Sequence, residues 1–106
     1  MRLAAALALV LLAVVAVAAQ ERPSDPLAAR GGAVFMQNGC HGCHTVGRMG
    51  TPIGPDLSRV GFKYRAEYLR AWLRDPAFLR PSGHMPKLEL TDEDVRILAA
   101  WMATLQ

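Results

Sequence analysis

The chain begins with an uninterrupted apolar run and continues with segments of helical period separated by glycine and proline. From Leu3 to Ala19 the sequence LAAALALVLLAVVAVAA carries no charge. It follows Met1 and Arg2 and ends in small residues, the anatomy of a secretory signal peptide. Cleavage before Gln20 is expected, leaving residues 20–106. The alternative is a retained membrane anchor, but the run lies at the short edge of what spans a bilayer, and its richness in Ala suits a cleaved segment better. Residues 1–19 are thus read as a leader and 20–26 as a polar linker. Residues 27–106 are read as one domain facing the periplasm, tied to a membrane only if the leader is retained.

Beyond the linker the pattern is helical. Ser24 or Asp25 can cap a helix whose first turn holds Pro26, and LAARGGAVFMQN (27–38) would continue it to a stop near Gly39. Gly31 and Gly32 each cost such a helix roughly 1 kcal/mol relative to Ala, which suggests close packing against the backbone there. Thr45 to Lys63 is loop-like. In YRAEYLRAWLRDP (64–76), Tyr64, Tyr68, Leu69, Trp72 and Leu73 fall on one helical stripe, and Pro76 should end the element. Residues 77–90 read as a proline-punctuated loop. In TDEDVRILAAWMATL (91–105), Thr91 caps, Asp92, Glu93 and Asp94 complement the helix dipole, and Val95, Leu98, Trp101, Met102 and Leu105 form the stripe to be buried. No window sustains strand alternation. The fold class is all-α, with about three main helices and long loops.

Composition adds a constraint. Aromatic residues make up 7% of the chain, so a domain this small needs something besides its own side chains to fill the middle. The formal charge of +3, which falls by one with Arg2, is too weak to argue for nucleic acid. Its distribution is uneven. Arg59, Lys63, Arg65, Arg70, Arg74 and Arg80 face only Glu67 and Asp75 over residues 59–80, whereas residues 89–94 are acidic.

Both cysteines fall in CHGCH (40–44). A C-x-x-C core serves dithiol exchange, zinc binding or covalent haem attachment. Dithiol exchange expects a strand before the motif, and none is visible. Zinc could recruit Cys40, Cys43, His84 and His41 or His44, but the usual second ligand pair is missing. Haem attachment accounts for the histidine after the second cysteine, and a large apolar cofactor gives the long loops a surface to wrap. On this reading Cys40 and Cys43 carry thioether bonds and His44 is the proximal iron ligand. His41, inside the motif, is expected to be exposed.

The chain resembles the class I cytochromes c over nearly all of residues 31–105. GAVFMQNGCHGCHT is similar to that family's first helix and haem motif, and GPDL (54–57) to its proline loop. YLRAWLRDPAFLRPSGHMP (68–86) is similar to its helix and methionine loop, and LAAWMATL (98–105) to its last helix. The resemblance implies a small cytochrome c fold wrapped around one covalently attached haem c. It implies Met85 as the distal ligand, with the adjacent His84 as rival, and the carbonyl of Pro55 as acceptor for the His44 Nδ1–H. Leu57, Leu69, Trp72 and Leu73 are implied as pocket residues. The terminal helices would cross where Gly31 or Gly32 and Phe35 meet Leu98 and Trp101.

The implied function is an exported monomeric one-electron carrier, not itself an enzyme, exchanging electrons with transient donor and acceptor redox proteins. Two alternatives stand beside it. One is a haem-bearing component of a larger exported oxidoreductase, such as a sulfur-compound-oxidising complex or a terminal oxidase. The other is a ligand-binding or peroxidatic haem protein, which needs an open sixth position.

Overall fold

In the computed structural model the described residues are 2–9, which are helical and exposed, and 25–106. The expected cleavage point at Gln20 and most of the expected leader and linker lie outside them. No helix among the described residues is long and apolar enough to cross a membrane.

The domain starts with α1 (Pro26–Ala29) and α2 (Gly31–Gln37). Asp25 caps α1, its carboxylate accepting from the Leu27 N–H at 2.9 Å. The expected single helix over 27–38 is divided at Arg30, whose N–H turns back to the Leu27 carbonyl at 3.1 Å. The glycine pair that follows offers the backbone little resistance to this tightening. Asn38 and Gly39 end α2, and Gly39 adopts φ 71°, a value that stops a helix.

After the cysteine motif, β1 (Thr45–Val46) and β2 (Met49–Gly50) form a two-residue antiparallel ladder pairing Thr45 with Gly50 and Val46 with Met49. The sequence reading has no strand here, because two residues are too few to display alternation. A short 3₁₀ turn, Val60–Phe62, leads to α3 (Ala66–Arg74). That helix ends before Pro76 as expected. Tyr64 precedes it, and its ring stacks on Tyr68 with centroids 4.5 Å apart.

The segment expected as loop from residue 77 instead opens with one helical turn, α4 (Pro76–Leu79). Proline suits a first helical position, and the Asp75 carboxylate accepts from the Phe78 N–H at 3.3 Å. The proline that ends α3 therefore begins α4. The last helix, α5 (Asp92–Ala103), is capped by Thr91, whose hydroxyl accepts from the Asp94 N–H at 3.0 Å.

The core lies along α5, which packs against α1, α2, α3 and the Val60 turn. Val95, Leu98 and Met102 are buried as the stripe predicts, but Ile97 and Ala99 are fully buried too. Being covered from several sides, α5 hides more than one stripe, while Trp101 and Leu105 are only half-buried. Phe35, Val34, Leu69 and Leu73 complete this core. Phe35 meets Trp101 with ring centroids 5.2 Å apart. Gly31, rather than Gly32, makes the close approach between the terminal helices.

Candidate functional site

CHGCH folds as a single tight turn. The N–H groups of Cys43 and His44 both donate to the Cys40 carbonyl, at 3.2 and 3.0 Å. Local hydrogen bonding thus sets two thiols and an imidazole on one short piece of chain. No disulfide joins the two cysteines. Burial pushes the Cys40 thiol above its ordinary pKa, with a backbone hydrogen bond opposing in part.

His44 is held from the loop opposite. Its Nδ1–H donates to the Pro55 carbonyl at 2.7 Å, a tautomer that leaves Nε2 with a free lone pair. The same loop is sewn to the motif by the Gly54 N–H donating to the Cys43 carbonyl at 2.5 Å and the Leu57 N–H donating to the Thr45 carbonyl at 2.8 Å. A Cβ at Gly54 would come within 2.8 Å of His44 Cε1, so only glycine fits this approach without displacement.

Asp56 fastens the loop further. One carboxylate oxygen accepts from the Thr45 hydroxyl at 3.0 Å, the Ser58 hydroxyl at 2.6 Å and the Ser58 N–H at 3.0 Å. The Ser58 hydroxyl oxygen in turn accepts from the Gly47 N–H at 2.7 Å. The Ser58 hydroxyl bond, then the Ser58 N–H and the Thr45 hydroxyl, hold the Asp56 carboxyl below its ordinary pKa.

These groups border a cavity of about 580 Å³, within the range of roughly 300–1,000 Å³ usual for small-molecule and cofactor sites. Cys40, Cys43 and His44 line it, as do Pro55 and Leu57 from the loop. Leu69, Trp72 and Leu73 reach it from α3, and Met85 from the segment before α5. All nine residues singled out in the sequence thus share one cavity. Their chemistry fits a covalently held haem: two thiols, an imidazole with its second nitrogen free, a thioether and apolar walls.

Met85 is half-buried, and its sulfur accepts from the Trp72 indole N–H at 3.1 Å. His84 is exposed and borders a separate cavity of about 130 Å³ beside Met85. His41 differs from expectation. It is half-buried, and its Nδ1 finds no partner among the described residues. The described residues also contain no cluster of three or more His, Cys, Asp or Glu suited to a metal ion, which leaves a zinc reading without its ligand set.

Other lining residues escape the sequence reading. Tyr64 and Tyr68 face the cavity, and Arg59, Lys63 and Arg80 give its wall a basic edge with Asp56 as the one acid. Helical periodicity marks the tyrosines only as core, and nothing in the pattern separates these three cations from their solvated neighbours.

A family model described as Cytochrome c matches residues 28–106. The chain is 36% identical over 95 residues to cytochrome c oxidase subunit 2 of Alkalihalophilus pseudofirmus, covering 81% of this chain and 28% of that protein. Against the protein of the same name from a Bacillus species, identity is 29% over 102 residues, with 78% and 27% covered. Against a nitric oxide reductase subunit of Paracoccus denitrificans it is 27% over 100 residues, with 83% and 67% covered. The chain thus spans less than a third of the two oxidase subunits it matches.

Proposed function

This chain belongs to the cytochrome c family, which binds covalently attached haem c, and on that premise we propose that residues 27–106 are an exported monohaem electron carrier with His44 and Met85 as axial iron ligands. The observation that carries this reading is the shared cavity, bordered by Cys40, Cys43, His44 and Met85. Held by these two side chains, a haem would supply one-electron exchange between ferric and ferrous iron.

The protein's part is to hold that chemistry still. Pro55 fixes the imidazole plane of His44 and raises its basicity through the 2.7 Å bond. Leu57, Leu69 and Leu73 keep water from the cavity and lower its polarity. The soft thioether of Met85 would favour ferrous iron, and Cys40 and Cys43 would supply the thioether links to the haem. Donor and acceptor proteins dock transiently, as small interfaces of redox encounters do.

Absorption spectra of the purified protein test this. The reduced form is expected to have a c-type α-band, and the oxidised form a weak near-infrared iron–sulfur band. Met85→Ala should abolish that band and His84→Ala should keep it. A band that survives Met85→Ala would overturn the distal assignment.

The relatives favour a second reading, in which this domain serves as the haem-bearing part of a larger oxidoreductase. Its haem chemistry is the same, and only the permanence of the partner differs. Size-exclusion chromatography of native material separates the two, since a stably co-purifying partner replaces the free carrier.

A further inference from the structure

Asn38 is the only asparagine in the chain, and glycine follows it. Glycine has no Cβ to shield its backbone nitrogen, so an Asn-Gly step leaves that nitrogen well placed to attack the preceding side-chain amide. In the folded protein both reacting groups are engaged elsewhere. The Gly39 N–H donates to the Met36 carbonyl at 3.1 Å. The Asn38 Nδ2 donates to the Val34 carbonyl at 2.9 Å, which turns the amide back along α2. Asn38 is half-buried and borders the cavity of about 580 Å³, two residues before Cys40.

We propose that Asn38 is a deamidation site held shut by the last turn of α2, and that reaction there places a carboxylate in the cavity wall. Once both hydrogen bonds break, the Gly39 nitrogen gives its proton to water and bonds to the Asn38 Cγ. The Cγ–Nδ2 bond then breaks and ammonia leaves. Water opens the five-membered imide at one carbonyl to give aspartate, or at the other to give isoaspartate. No electron is transferred, and the balance is one water in and one ammonia out.

The consequences follow from where Asn38 stands. Either product puts a negative charge at the C-terminal end of α2, where the helix dipole is already negative. The Val34 carbonyl also loses its side-chain donor. Isoaspartate further lengthens the main chain by one carbon just ahead of Cys40. A carboxylate in the wall of a haem cavity favours ferric iron and lowers the reduction potential.

The test ages haem-loaded protein at mildly alkaline pH, with and without guanidinium chloride. Isoelectric focusing follows the acidic shift, and peptide mass mapping places it. Conversion should be at least about tenfold slower in the native protein, because only chains with the end of α2 open react. Equal rates in the two conditions would overturn the shutter. No shift in guanidinium, or a shift that persists in Asn38→Gln, whose longer side chain closes an imide far more slowly, would overturn the site. After refolding, ion exchange separates converted from unconverted chains of the same sample. The converted chains should show a lower reduction potential and a lower denaturation midpoint. Matching values in the two fractions would overturn the placement of the new charge in the cavity wall.

Discussion

Gly31 lies directly against Trp101, so that a Cβ added at Gly31 would overlap the tryptophan's Cβ and Cγ. The neighbouring Gly32 is different, since its added Cβ would sit 3.8 Å from the indole, an ordinary contact. The two glycines therefore have opposite expected responses to alanine. Gly31→Ala gains helix propensity but must push α2 from α5, and overpacking of this kind costs about 1–3 kcal/mol. Gly32→Ala meets no obstacle and should stabilise by up to about 1 kcal/mol. Chemical denaturation of the haem-loaded variants measures both, and equal effects would refute the crossing geometry.

Gly54 faces the imidazole of His44 in the same constrained way. Gly54→Ala brings a methyl within 2.8 Å of Cε1 and 3.1 Å of Nδ1. Either the imidazole or the Pro55 loop must move, lengthening the 2.7 Å bond between them. The expected result is a loss of about 1–3 kcal/mol in stability together with a higher reduction potential, because a weaker bond to Pro55 leaves His44 less basic and a poorer donor to ferric iron. Potentiometry beside a denaturation curve distinguishes this from a purely structural defect, which would leave the potential where it was.

How far the sequence reveals this fold depends on how many residues each element uses to declare itself. Helix α5 is legible from the Thr91 cap, three acids and a long stripe. Helix α4 is not, because four residues hold no period, and Pro76 reads as a stop until the Asp75 cap makes it a start as well. At the site, CHGCH is legible because attachment chemistry fixes its spacing, while Pro55 and Met85 are reached only through family resemblance. Tyr64, Arg59 and Lys63 escape notice because pattern rules assign aromatics to the core and charges to water, whereas the rim of this cavity uses both.

The ion pair between Arg30 and Glu93, at 2.9 Å, links the α1–α2 junction to the start of α5. Both side chains are more than half exposed, at 56% and 57%, so solvent and salt screen the attraction. Glu93→Gln should cost less than about 1 kcal/mol, and a double-mutant cycle with Arg30→Gln should yield a coupling of similar size. Repeating the cycle at about 1 M salt should reduce the coupling further.

Asp56 carries an acid dependence that can be worked out from its partners. Its carboxylate takes hydrogen bonds from Ser58 and Thr45, which favour the charged form and hold its pKa below the ordinary value of 3.8. The folded state therefore binds this proton less readily than the unfolded chain, and stability rises with pH between the two pKa values. The contribution is present in full above the unfolded value and is lost as pH falls through the lower, folded one. Asp56→Ala removes the acceptor, so the variant should be less stable than the native protein at neutral pH. The gap between the two should narrow as pH is lowered from about 5 to about 2. Denaturation midpoints measured across that range on haem-loaded protein check this. A gap that stays constant with pH would mean that Asp56 acts through packing and not through its charge.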